Sequence, residues 1–127
     1  MDGRGRQALG KRGEDEACAY LESIGHRILE RNWRSGRMEI DIISESRDGI
    51  HFVEVKSVVA PAGFDPAEKV GAAKRRRITA AALGYLNAVK RRGPGPGEVF
   101  FDEVTVVFDG GERTLNYVPQ AWIPMYF

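Results

Sequence analysis

Cysteine is almost absent from this chain. Cys18 stands alone, so no intramolecular disulfide can form and no thiolate zinc cage can assemble. The two histidines, His26 and His51, are far from any metal-ligand spacing. No apolar run approaches the roughly 18 residues that a membrane-crossing helix needs. The start, Met1-Asp2-Gly3-Arg4-Gly5-Arg6, has no apolar stretch after its charges, unlike a secretory signal. Internal repeats and interdomain linkers are also missing. These absences lead to the expectation of a cytoplasmic protein without membrane contact. Its 127 residues, 43% of them hydrophobic and 29% charged, suit a single domain spanning 1–127 with a core that needs no staples.

An excess of one charge is lacking too. Nineteen basic residues face eighteen acidic ones, a net charge of +1. The distribution is more telling than the sum. Residues 69–92 carry eight basic side chains and no acidic one, whereas 39–56 carry five acidic and two basic. An acidic pocket beside a basic helix suits a metal site that must also hold a polyanion.

Strand and helix patterns place these charges. Leu9, Ala17, Tyr20, Leu21 and Ile24 recur at helical spacing, and Gly25 is a stop, which predicts a first helix over about 7–24. Residues 27–33 read as a short strand. Met38–Ile43 and Ile50–Val58 read as two more, joined as a hairpin across Ser46-Arg47-Asp48-Gly49. Asp65-Pro66-Ala67-Glu68 has the form of a helix start. Ile78, Ala82, Tyr85, Leu86 and Val89 supply the apolar stripe of a helix reaching Lys90, and Gly93–Gly97 ends it. Glu98–Asp109 reads as a strand, and Thr114–Val118 as a further one. The long helix is a crossover, so the strands it joins should be parallel neighbours. The fold class expected is α/β: a central mixed β-sheet flanked by helices. Trp33, Trp122 and Cys18 are expected in the core, and His26 and His51 in structural or exposed positions.

Side chains alternate faces along a strand. Glu39 and Asp41 should therefore share one face of their strand, and Glu54 and Lys56 one face of theirs. Pairing the strands brings three carboxylates and an ammonium together. Two like charges about 4 Å apart repel by roughly 4 kcal/mol at an effective dielectric near 20, and a hard divalent cation relieves that repulsion. Asp41, twelve residues, then Glu54-Val55-Lys56 resembles the PD-(D/E)xK nuclease motif without its proline. That resemblance implies Mg²⁺ or Mn²⁺ held by Asp41, Glu54 and the Val55 carbonyl, with Lys56 orienting or deprotonating the attacking water. Glu14, on the first helix, is a candidate further ligand or holder of a water, and Glu39 a weaker one. Lys74, Arg75, Arg76 and Arg77 are candidate phosphate contacts. Lys74 shares a helix face with Arg77 and with Ile78, so one of the two cations should reach inward, while Arg75 and Arg76 contact backbone phosphates or water.

The residues together resemble the YraN-like family of small bacterial proteins, related to restriction-endonuclease-like folds and archaeal Holliday-junction resolvases. The likeness is carried by Gly13-Glu14, Ala17, Tyr20-Leu21, Gly25 and Asn32, by Glu39-Ile40-Asp41-Ile42-Ile43, by Phe52-Val53-Glu54-Val55-Lys56, by Lys74, Arg77-Ile78, Ala81 and Tyr85-Leu86, and by Phe101-Asp102. Met38 departs from a usual glycine, and Ser57-Val58 from a usual Thr-Arg pair. The resemblance implies a restriction-endonuclease-like sheet and a Mg²⁺-dependent endonuclease acting on DNA, including branched or otherwise non-canonical DNA. Two alternatives stand beside it: a non-catalytic nucleic-acid-binding module that keeps the nuclease fold, and an accessory protein docking a partner through its basic helix. The expected partner is nucleic acid, DNA before RNA, with a homodimer allowed.

Overall fold

The computed structural model describes residues 3–61, 71–90 and 97–124. Its elements are α1 (Gly3–Ser23), β1 (Arg27–Ser35), β2 (Met38–Ser46), β3 (Gly49–Val59), α2 (Ala72–Lys90), β4 (Glu98–Asp109) and β5 (Glu112–Trp122). The expected helix start at Asp65, the glycine- and proline-rich stop over 93–96, the basic Lys69, Arg91 and Arg92, and the tail aromatics Tyr126 and Phe127 lie outside the described residues. No described helix is long and apolar enough to cross a membrane.

The strands form one sheet in the order β1-β2-β3-β4-β5. Neighbours are antiparallel except β3 and β4, which run parallel through the α2 crossover. This is the α/β fold with a mixed central sheet that the alternating pattern implies. Each face of the sheet buries one helix. Ala17, Cys18 and Leu21 of α1 pack on Ile42, Val53, Val104, Val106 and Phe108. Ile78, Ala81, Ala82, Tyr85 and Leu86 of α2 pack on Ile40, Ile43, Ile50, Phe52, Phe101 and Trp122 on the other face. Trp33 sits edge-on to Tyr85 with ring centroids 5.4 Å apart, and Phe101 meets Trp122 at 4.4 Å. Both tryptophans belong to the core.

Local chemistry sets the element ends. Gly25 adopts φ +99°, a left-handed conformation open to glycine at little cost. The His26 N–H then donates to the Leu21 carbonyl at 2.9 Å and the Gly25 N–H to that of Glu22 at 3.1 Å, the paired bonds of a Schellman helix end. In the β2–β3 hairpin, Ser46 pairs with Gly49, leaving Arg47 and Asp48 as the turn, and the Asp48 N–H donates to Ser46 Oγ at 3.1 Å. The last strand is longer than the expected 114–118 segment. Pro119 and the φ +48° of Gln120 break its pattern in sequence. The proline is tolerated because β5 is an edge strand, where one N–H need not join a ladder.

Candidate functional site

β1 and β2 do not keep a regular alternation. Ile40 packs on the α2 side, yet Ile42, two residues on, packs on the α1 side. Across from them, Arg31 pairs with Asp15 of α1 while Trp33 meets Tyr85 of α2. The residues between, Asp41 and Asn32, lie opposite each other, flanked by the pairs Arg31↔Ile42 and Trp33↔Ile40. Asn32 takes φ +51°, which asparagine tolerates better than most residues. Both strands thus turn over at one point, so the regular period-two alternation does not hold through Asp41. The change of face gives Asp41 access to residues from both helices.

The β2–β3 ladder ends at Ile42↔Val53. Beyond it the Val55 N–H donates to the Asp41 carboxylate, Oδ2, at 2.9 Å. A strand residue points its N–H and C=O to the same side, so the Val55 carbonyl also faces the gap beside Asp41. Glu54 interacts directly with Asp41: each carboxyl group shifts the other through a side-chain hydrogen bond. From α2, Lys74 Nζ lies 2.5 Å from Glu54 Oε1. Lys56 stands exposed on the same face of β3 as Glu54, and it is Lys74 whose ammonium meets that carboxylate. The signal was present in sequence: Lys74 is one turn before Ile78, which is buried in the core.

Burial dominates the titration of the cluster. It raises Asp41 to about 7, with the Glu54 charge adding to the effect and the Val55 N–H and Lys74 opposing it. Burial raises Glu54 as well, against the pull of Lys74. Glu14 is raised by burial first and by Asp41 second, while Asn32 and Arg31 act the other way. One proton shared between Asp41 and Glu54 relieves their repulsion in the absence of a cation.

Glu14 is held at the site by a close helix–sheet approach. A Cβ on Gly13 would lie 1.7 Å from Ser57 Oγ and 2.9 Å from Ser57 Cβ, so α1 reaches β3 only because residue 13 has no side chain. Ser57 Oγ is buried with no hydrogen-bond partner among the described residues. Gly13→Ala is therefore expected to lose about 1–2 kcal/mol in urea denaturation, overpacking outweighing the better helix propensity of alanine. Ser57→Ala in the same chain should restore part of it; strict additivity of the two changes would contradict the contact.

Glu39 lies at the rim, exposed and 3.4 Å from Arg34, and its charge raises both Glu14 and Glu54. The basic run divides. Lys74 turns inward to Glu54. Arg75 is partly buried, its guanidinium 5.6 Å from the centroid of the Trp122 ring, which corrects its expected place among the outward phosphate contacts. Arg76 and Arg77 are exposed.

Among the described residues no three His, Cys, Asp or Glu side chains converge as a cage for a metal ion. What the site offers is two adjoining, partly buried carboxylates and one main-chain carbonyl. That donor set fits Mg²⁺, which prefers oxygen, is commonly bound through one or two carboxylates and retains much of its water.

A second polar cluster, not recognised from the sequence, lies farther along the β2–β3 hairpin. Buried Asp102 accepts from His51 Nδ1 at 2.7 Å and the Tyr117 hydroxyl at 2.6 Å through Oδ2, and from the Gln120 N–H at 2.8 Å through Oδ1. The other nitrogen of His51 is 2.7 Å from Ser46 Oγ. Both histidines are buried, in agreement with a structural role.

Comparison with known proteins places this geometry in a family. Residues 13–106 match the model of the Uncharacterised protein family UPF0102, a span that includes Glu14, Asp41, Glu54, Val55, Lys56 and Lys74. A UPF0102 protein of Anaeromyxobacter dehalogenans is 40% identical over 95% of this chain and 88% of the relative. One from Nitratidesulfovibrio vulgaris strain DP4 is 41% identical over 92% of this chain and 85% of its own. One from Bacteroides thetaiotaomicron is 35% identical over 94% and 95%. By both the family match and the extent of these alignments, the chain is a member of UPF0102, the family of YraN-like proteins.

Proposed function

We propose that the protein is a divalent-cation-dependent endonuclease that hydrolyses phosphodiester bonds in DNA. The observation that carries this reading is the adjoining of Asp41 and Glu54 beyond the end of a strand ladder. Two adjoining, partly buried carboxylates repel each other, and that repulsion is a cost that a structural role does not explain. Asp41, Glu54 and the Val55 carbonyl would hold Mg²⁺ or Mn²⁺. The bound ion supplies polarisation of the phosphate and a more acidic water. Glu14 of α1, which interacts with Asn32 and Asp41, would hold a water beside Asp41. Lys56, exposed on the face of Glu54, would act on the phosphate and the attacking water. Lys74 neutralises Glu54 in the cation-free protein and is a ready contact for phosphate once a cation takes over that task.

One feature favours the second reading, a non-catalytic nucleic-acid-binding module. The Lys74–Glu54 pair already supplies much of the charge compensation that a cation would bring. The two readings separate in one assay: pure protein with Mg²⁺ or Mn²⁺ and linear, nicked, flapped and four-way DNA. Cleavage that vanishes in Asp41→Asn, Glu54→Gln and Lys56→Ala supports the nuclease. In parallel, replacing Arg76 and Arg77 by alanine should weaken duplex binding at all sequences and flatten the salt dependence of log K by about 0.9 per lost phosphate contact. Lys56→Ala should bind within a few-fold of the parent. A chain that cleaves nothing while its two arginines still control binding is the non-catalytic module.

A further inference from the structure

Beside the carboxylate pair, α1 and β1 bound an open cleft of about 390 Å³, lined by Gln7, Gly10, Lys11, Glu14, Arg31 and Asn32. Its lining side chains carry two amides, two cations and one carboxylate. Glu14 belongs to this lining and feels the Asp41 charge directly. Lys11 is exposed, with Asp15 3.8 Å away; Arg31 is shared between Asp15 at 2.8 Å and Glu14 at 3.7 Å. The cleft therefore brings the cations Lys11 and Arg31 together with Glu14, next to the candidate catalytic carboxylates.

Gly10 is the informative residue. It sits inside α1, and glycine inside a helix costs roughly 0.5–1 kcal/mol relative to alanine. Its backbone is not left-handed. A Cβ built on it meets nothing within 4 Å. Neither conformation nor packing calls for a glycine there, in contrast to Gly13, where Ser57 leaves no room. The one thing a side chain at position 10 would do is project into the cleft.

We propose that this cleft receives a single-stranded phosphodiester segment and leads it to Asp41 and Glu54, with Lys11 and Arg31 meeting phosphates and Gln7 and Asn32 meeting sugar or base edges. The inference rests on the hydrolytic reading for its destination. The cleft's volume lies at the small end of the range for small-molecule pockets, enough for a nucleotide-sized unit and far too little for a double helix. Its position adds a second reason. The cleft opens on the α1 side of the sheet, whereas the exposed Arg76 and Arg77 belong to α2 on the other side, so one straight duplex does not reach both. A substrate with a duplex arm and a single-stranded flank, such as a flap or a frayed junction, reaches both around the sheet edge.

The test uses the whole chain and a short fluorescein-labelled oligothymidylate, bound without divalent cation. Gly10→Leu fills the cleft with a better helix former, so its melting temperature should equal or exceed that of the parent, and it should bind the oligonucleotide at least about tenfold more weakly. Ala8→Leu adds similar bulk on an exposed part of the same helix outside the cleft and should bind as the parent does. Lys11→Ala, an independent variant, should reduce the salt slope by about 0.7 for a lost single-strand contact. Parent-like binding by folded Gly10→Leu, an unchanged salt slope in Lys11→Ala, or no oligothymidylate binding by the parent each overturns the proposal. Cleavage of flapped DNA at the parental rate by Gly10→Leu rejects the cleft and leaves the nuclease intact. Cleft-dependent binding in a protein that cleaves nothing rejects hydrolysis and keeps the cleft as a strand-binding site.

Discussion

Asp41→Asn should raise the stability of the cation-free protein at pH 8 and leave it nearly unchanged at pH 4. The direction follows from the raised carboxyl. Its ordinary value is 3.8, and in the fold it is pushed to about 7 by burial and by Glu54. Between those limits the folded protein holds a proton that the unfolded chain has lost. Stability therefore falls as pH rises through this window, and above it the whole cost is present. About three pH units at roughly 1.4 kcal/mol each set an upper bound near 4 kcal/mol. Sharing of the proton with Glu54 divides the effect, so a gain of about 1–3 kcal/mol is expected at pH 8. Asparagine keeps a carbonyl oxygen for the Val55 N–H, so the 2.9 Å bond has a successor. Urea denaturation of both proteins across pH 4–8 gives the measurement. A loss above about 2 kcal/mol at every pH would mark Asp41 as a structural hydrogen-bonding residue instead.

The same variant should lose divalent-cation binding and cleavage, so stability and function move in opposite directions on one substitution. That opposition is the signature of a site held against its own repulsion, and a merely structural carboxylate does not produce it. Added Mg²⁺ should stabilise the parent through binding to the folded state alone, and Asp41→Asn much less.

How much of this was legible in the sequence depended on whether a signal was local. The β2–β3 hairpin, the β4 strand and the stripe of α2 were readable because their patterns are short-range and regular. The parallel pairing of β3 with β4 followed from the crossover helix. Glu14 was legible as a residue of the first helix, but its tie to Asn32 depends on a left-handed residue whose conformation no periodicity announces. The same turnover at Asn32 and Asp41 breaks the regular alternation on which the period-two argument rested. Lys74 and Arg75 are adjacent in a run of four cations, and only packing separates them: one points to Glu54, the other lies over Trp122. Asp102 was visible only as half of an aromatic-Asp pair. Its partners, His51, Tyr117 and Gln120, come from other strands, and a register shift between Phe101 and Glu103 turns it inward.

That buried aspartate carries the largest expected loss of stability. Asp102 is 1% exposed, and its two oxygens accept three hydrogen bonds from the sheet's far half. Asp102→Ala would leave the Tyr117 hydroxyl, the Gln120 N–H and a His51 nitrogen without their acceptor in a site closed to water. Each stranded buried group costs about 1–3 kcal/mol. The left-handed Gln120 is stabilised in place by one of those bonds, so the end of β5 should loosen with it. A total loss of roughly 3–5 kcal/mol is expected, comparable to breaking a buried pair. Asp102→Asn should lose less, because the amide oxygen can take the Oδ2 place and accept from two of the donors while its NH₂ opposes only the Gln120 N–H. Thermal denaturation orders the variants: parent above Asp102→Asn above Asp102→Ala. The Asp41–Glu54 site lies elsewhere in the fold, so cation affinity measured well below each melting temperature should stay near the parental value. A drop in affinity matching the drop in stability would show that the two polar clusters form one coupled network.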